Sequence, residues 1–214
     1  MKKVNINLKR YNTIFIDFDG VICKSNLLKK DNIYTAVKKF TNKQTAYEFT
    51  EYFINNNGIT REVKIFNYFG NNKIAKKILE EYSKINENLI SLRLNAGLIN
   101  FLEQVKDKDL YILSGGDERE IKKYLIKKKI IKYFKSILAG PLSKTQNLKI
   151  ISINYPALFI GDSKYDFEVA KYFKLDFIFM VDNNKYYGFL DNFSKVLITK
   201  NFNTLIESKV YEKN

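Results

Sequence analysis

Six short runs rich in Ile, Leu, Val and Phe recur along this chain, and each breaks off at small, acidic or amide side chains. Thr13-Ile14-Phe15-Ile16 stops at Asp17-Phe18-Asp19-Gly20, Leu110–Leu113 at Ser114-Gly115-Gly116, Ser136–Ala139 at Gly140-Pro141, and Ala157–Ile160 at Gly161-Asp162-Ser163. Phe177–Val181 stops at Asp182-Asn183-Asn184, and Val196–Thr199 near Asn201. Short continuous apolar runs bounded by turn formers read as strands buried on both faces. Between the early runs the period changes: Leu98, Phe101, Leu102 and Val105 fall at i, i+3, i+4 and i+7, a helical stripe that packs on a sheet. This alternation predicts an α/β fold, a parallel sheet with helices on both faces. Ligands of such sheets sit beyond the carboxyl ends of the strands, where these acids, serines and glycines converge.

Residues 17–109 separate the first two runs, far more than a crossover needs. Within this stretch, residues 25–92 carry helical periodicity. Phe49, Tyr52 and Phe53 mark a helix ending near Asn57-Gly58, and Thr60 is a candidate cap for the next, which ends near Gly70. Ile74, Ile78, Tyr82, Ile85, Leu89 and Leu92 trace one stripe of a longer helix. The expectation is a sheet domain made of residues 1–24 and 93–214, with residues 25–92 a small helical bundle over the first strand's loop.

Composition narrows the chemistry. The 214 residues contain no His and one Cys, Cys23, so a Ser-His-Asp triad, a Cys-His pair, an internal disulfide and the usual zinc ligand sets are all excluded. Acid–base work falls to carboxylates, Lys, Tyr or water. No apolar stretch approaches the length of a spanning helix, and a cytoplasmic protein is expected. Lys and Arg outnumber Asp and Glu by 37 to 23, a net charge of +14. The cations are scattered, and the densest group, from Lys122 to Lys129, lies on a helix whose apolar side is Ile121, Tyr124 and Leu125. That pattern is a solvated face, so nucleic-acid binding is disfavoured.

Asp17 and Asp19 stand two apart where Gly20 should break the strand, which lets both carboxylates approach one centre. Like charges that close leave one group ionised and the other able to carry a proton. Asp162 and Asp166 form a second pair, and a spacing of four predicts that both lie on one side of the following helix, although Asp162 is also a candidate N-cap. Two anionic clusters above one sheet repel unless a cation lies between them, and hard oxygen donors select Mg²⁺. Ser114 and Gly115 offer a hydroxyl and unhindered N–H groups suited to phosphate oxygens, and Lys144 or Lys149 could neutralise the same anion.

The order of these segments resembles the four motifs of the haloacid dehalogenase superfamily in its phosphatase branch: strand-DFDGV, strand-SGG, a lysine after a third strand, and strand-GDSKYD, spanning Thr13 to about Val181. Asn95-Ala96-Gly97 resembles the segment leading to the second motif, and the helical insertion resembles the cap of phosphoglycolate phosphatase and β-phosphoglucomutase relatives. The lysine lies nearer the fourth motif than is usual and lacks the common following proline, and Phe173-Lys174-Leu175 replaces a frequent glycine. The resemblance implies a Rossmann-like core with an α-helical cap inserted after the first strand. It implies Asp17 as the nucleophile and Asp19 as the acid and base. Ser114, Gly115 and Lys144 would hold the phosphoryl oxygens. Mg²⁺ would be held by Asp17, the Asp19 backbone carbonyl and Asp162, with Asp166 in support.

The resulting expectation is a Mg²⁺-dependent phosphatase, monomer or dimer, acting on a small phosphorylated metabolite such as a sugar or amino-alcohol phosphate. A phosphomutase of the same fold is the nearest rival, and a non-catalytic basic nucleic-acid-binding protein is the rival from another class. Lys24, Arg61, Lys64 and Arg93, in or beside the insertion, could attract an anion, but the expectation is that each is ordinary surface.

Overall fold

A computed structural model describes residues 2–181, 196–207 and 210–213. The turn expected at Asp182-Asn183-Asn184 lies outside the described residues. Among the described residues, eight strands form one sheet: β1 (Lys2–Val4), β2 (Thr13–Ile16), β3 (Asp109–Asp117), β4 (Ser136–Gly140), β5 (Ala157–Gly161), β6 (Asp176–Met180), β7 (Val196–Thr199) and β8 (Val210–Lys213), in the order β1-β8-β7-β6-β5-β2-β3-β4. The six strands from β4 to β7 are mutually parallel, whereas β8 is antiparallel to β7 and β1 to β8. Neither β1 nor β8 was expected, because Lys2-Lys3-Val4 and Val210-Tyr211-Glu212-Lys213 lack a continuous apolar run; edge strands do not need one.

Burial follows the pattern. All four residues of β2 and all five of β5 are buried, as a doubly covered sheet requires. Ile14, Ile16, Ile112 and Ile160 belong to one apolar layer with Leu98, Phe101 and Leu102 of α5 (Leu98–Gln104). Phe15, Leu113 and Phe159 belong to the other, with Val169 and Ala170. β2 has β3 on one side and β5 on the other, so the chain winds outward in both directions from this point. The crevice that ligands occupy in such sheets is therefore at the ends of β2 and β5.

The insertion contains α1 (Asn26–Lys38), α2 (Lys43–Asn55), α3 (Arg61–Phe69) and α4 (Lys73–Ile85), followed by a 3₁₀ turn over Asn86–Ser91. Its own apolar cluster includes Ile33, Val37, Phe49, Phe53, Ile65, Ile78 and Tyr82. Its entry and exit meet where Cys23 pairs with Leu94 in an isolated antiparallel bridge. Three local expectations need correction. The single stripe from Ile74 to Leu92 breaks at Ile85, and Ile74 is exposed; the buried side of α4 is Ala75, Ile78 and Tyr82. Thr60 stands at the N-cap position of α3, but its hydroxyl makes no capping bond. Asp162 is not helical: Ser163 caps α8 (Lys164–Tyr172), with Asp166 answering from its first turn, because the Ser-x-x-Asp spacing forms a reciprocal cap. After α8, Lys174 takes φ +54 where the family resemblance places a frequent glycine, a conformation that costs about 1 kcal/mol for a side chain with a Cβ.

Candidate active site

The ends of β2, β3 and β5 converge on one cavity of about 310 Å³ whose other wall is the helical insertion, and Lys144, the first residue of α7 (Lys144–Lys149), lies against Asp17. Asp17 is 3% exposed and continues the β2 ladder, its N–H donating to the Ile160 carbonyl at 2.9 Å. Lys144 is completely buried; its Nζ donates to Asp17 Oδ1 at 2.8 Å and to Asp166 Oδ1. Lys149 is exposed at the far end of α7, so of the two lysine candidates Lys144 is the one brought to the carboxylates. Asp166 also accepts from the N–H groups of Asp162 and Ser163, at 3.2 and 3.1 Å, and thereby fixes the loop that carries Asp162.

Oxygens of Asp17, Asp162 and Asp166 all lie within 4.8 Å of one another. Two ionised carboxylates at that separation repel by about 3 kcal/mol at an effective dielectric constant near 20. Burial comes first in raising Asp17 well above the usual carboxylate range; Lys144 opposes it, and Asp166, Asp162 and Asp19 add to it. Burial and then Asp166 push Asp162 up to about 7, against the Asn26 amide that donates to its Oδ2 at 2.7 Å. Lys144 bonds to two of these three acids, and Asp162 forms no ion pair among the described residues. An all-oxygen cluster with one carboxylate uncompensated fits a hard divalent ion.

Asp19 differs. Burial would raise it, but Lys29 Nζ at 2.5 Å and the Ser25 hydroxyl at 2.6 Å outweigh that, and its pKa lies below the ordinary value. Ser114 is buried, with its Oγ accepting from Gly116 N–H at 3.0 Å. Opposite β4, the register of β3 shifts between Leu113 and Asp117, so Ser114-Gly115-Gly116 bulges out of the ladder into the cavity wall.

Two glycines set how closely the insertion approaches. Gly58 has φ +88, and a Cβ on Gly115 would lie 2.4 Å from the Gly58 carbonyl oxygen. Gly115→Ala is therefore expected to push the Asn57–Ile59 loop outward and raise KM by roughly tenfold, with smaller loss in kcat. Steady-state kinetics check this; an unchanged KM means that the loop does not contact substrate.

Lys29 was not singled out, and the expectation that Arg61 and Lys64 are ordinary surface is wrong. Arg61 and Lys64 are 3% and 5% exposed. They stand on the inward side of α3 with Ile65, at i, i+3 and i+4, a spacing visible in the sequence but carried by basic side chains rather than apolar ones. Arg61 donates through both terminal nitrogens to Glu120 at 2.6 Å, a bidentate tie from the insertion to α6 (Glu118–Lys127). Lys24 and Arg93 are exposed, as expected.

The fold and this arrangement of acids define a Rossmann-like hydrolase with a helical cap. The profile of the haloacid dehalogenase-like hydrolase family matches residues 14–180, and the chain belongs to that family. Among solved structures, its fold is similar to a predicted phosphatase from Clostridium acetobutylicum (20% identity over 85% of this chain and 90% of that one, TM-score 0.68). It is also similar to YfnB from Bacillus subtilis bound to magnesium (19% identity, 82% and 91%, TM-score 0.58) and to CbbY from Rhodobacter sphaeroides in complex with phosphate (13% identity, 83% and 90%, TM-score 0.62). None of the curated proteins matches this chain. No helix among the described residues is long and apolar enough to cross a membrane.

Proposed function

We propose that this enzyme is a Mg²⁺-dependent phosphatase that hydrolyses a small-molecule phosphate monoester through an aspartyl phosphate on Asp17. The observation that carries the reading is the placement of Asp17, in contact with Lys144, at the floor of a small cavity also lined by Asp19, Ser114 and Asp162.

Asp17 attacks phosphorus, forming its O–P bond as the bond to the leaving oxygen breaks. Asp19 gives a proton to that oxygen, then takes one from the water that cleaves the aspartyl phosphate and regenerates Asp17. Ser114, the Gly115 N–H and Lys144 hold the phosphoryl oxygens, so charge that develops there meets donors already in place. Asp17, Asp162 and the Asp19 main-chain carbonyl would hold Mg²⁺, which would supply further positive charge against those oxygens. Asp166 keeps the Asp162 loop in position. Lys29 holds Asp19 ionised in the state described, which is the form the water step needs. The acid form requires Lys29 to withdraw, and since Lys29 belongs to α1, the proton on Asp19 is tied to movement of the cap. The substrate is a small phosphorylated metabolite, held in a cavity at the lower end of the usual ligand-site range.

The test is hydrolysis of p-nitrophenyl phosphate. Turnover is expected with Mg²⁺, none in EDTA, and a base-labile phosphoenzyme should be trapped by acid quenching. Turnover that persists in EDTA would overturn the metal assignment, and catalysis without a trapped intermediate under burst conditions would overturn the covalent one.

A further inference from the structure

The first turn of α1 turns its polar side chains away from the helix and onto the acids of the sheet. Ser25 stands at the N-cap position, where serine is among the best caps, yet its hydroxyl makes no capping bond and donates to Asp19 Oδ1 at 2.6 Å. Lys29, one turn on, donates to Asp19 Oδ2 at 2.5 Å. Between them Asn26, the first residue of the helix, donates its amide to Asp162 Oδ2 at 2.7 Å. The approach is close: a Cβ on Gly20 would lie 1.9 Å from that same Asp162 oxygen and 2.6 Å from the Asn26 amide nitrogen, so a side chain at position 20 would break the bond. The two acids are held by different chemistry. Asp19 receives a cation, which answers its charge. Asp162 receives a neutral amide, which fixes one oxygen and cancels no charge, and it forms no ion pair among the described residues.

Resting on the metal-dependent phosphatase reading, and deepening it, we propose that Asn26 is a positioning residue for the metal: its amide holds one oxygen of Asp162 and leaves the other to the ion. The sheet fixes the backbone of Asp162, whose N–H donates to Asp166 Oδ2 at 3.2 Å, and the insertion fixes its side chain through Asn26. A ligating carboxylate held in this way is already oriented when the ion arrives, and removing such an outer partner typically weakens metal affinity 10- to 100-fold. The choice of donor follows from what each acid offers. Lys29 can sit on the Asp19 carboxylate because that residue serves the ion through its main-chain carbonyl. An ammonium on Asp162 would compete with the ion for the carboxylate, whereas an amide orients it without competing. The site for the metal is therefore completed by a residue of the insertion, distant in sequence from the acids that ligate.

The experiment titrates the full chain with Mg²⁺ in the absence of substrate, reading the dissociation constant from amide chemical shifts, and separately measures how p-nitrophenyl phosphate turnover depends on Mg²⁺. Asn26→Leu keeps nearly the size of the side chain and removes the donor. It should weaken Mg²⁺ roughly 10- to 100-fold in both measurements, and excess Mg²⁺ should restore most of the turnover. Asn26→Ala serves the same comparison if Leu does not fold. Asn26→Lys should weaken Mg²⁺ more than Asn26→Leu does, because it brings a competing ammonium to Asp162. An asparagine with a merely structural role would lower the denaturant midpoint and leave the metal affinity where it was. Affinity for Mg²⁺ within twofold of wild type in the Leu or the Lys variant overturns the inference. So does a loss of turnover that excess Mg²⁺ fails to restore while the affinity is unchanged, which would mean that Asn26 touches the substrate. In those cases a wild type that binds Mg²⁺ and hydrolyses the ester leaves the phosphatase reading standing. A wild type that does neither overturns both.

Discussion

Asp17→Asn is expected to lower turnover of any phosphate monoester by roughly 10⁴-fold or more, the scale of losing a covalent nucleophile. The amide keeps the size and one carbonyl oxygen of the side chain, so Lys144 keeps a partner at that position, and Asp166 remains as its other. What is lost is the charge and the lone pair that attacks phosphorus. Stability should move the other way. Asp17 has its pKa raised in the folded enzyme, so between the unfolded value near 4 and the raised one the folded state binds more protons than the unfolded state. Stability then falls as pH rises through that window, and removing the group should flatten the slope. Steady-state kinetics with p-nitrophenyl phosphate and denaturation in EDTA from pH 5 to 8 read both effects. Activity within tenfold of wild type would end the nucleophile assignment.

Lys144→Met is expected to have the largest effect on stability. Its ammonium is completely buried and answers two buried carboxylates, which together outweigh burial and raise its pKa. Removing one partner of such a cluster typically costs about 3–5 kcal/mol, because the acids stay buried without a counter-charge. Wild-type Lys144 contributes stability that is fully present below its unfolded pKa and lost only at strongly alkaline pH. In the variant, Asp17 becomes harder still to ionise, so its deficit should be smallest near pH 5 and grow toward pH 8. Urea unfolding across that range, in EDTA, measures this. A deficit below about 1 kcal/mol at pH 8, or one that shrinks with rising pH, would mean that another cation compensates the cluster. Turnover should fall at least roughly 10²-fold, since the phosphoryl oxygens lose a preformed donor.

The parallel strands and the acids at their ends were legible because burial on both faces demands continuous apolar runs, and a run stops where the chain must turn. Thr13–Ile16 before Asp17 and Ala157–Ile160 before Gly161-Asp162 carry that signal plainly. The motif acids, Ser114 and Lys144 came with it. The edge strands β1 and β8 did not, because a half-covered edge puts few demands on composition. The cap side of the cavity was also hidden: Lys29, Arg61 and Lys64 face inward only because their charges meet Asp19, Glu120 and the cavity itself, and those partners are distant in sequence. Asp162 was misplaced for a smaller reason. Its spacing to Asp166 fits a helix face, but Ser163 competes better for the cap and holds Asp162 one residue outside.

The apolar cluster of the insertion shares no member with the two layers that sandwich the sheet. Polar ties such as Arg61 to Glu120, rather than a shared apolar core, hold the insertion against the sheet. Thermal unfolding is therefore expected to show more than one transition, with the cavity wall between insertion and sheet lost at the first.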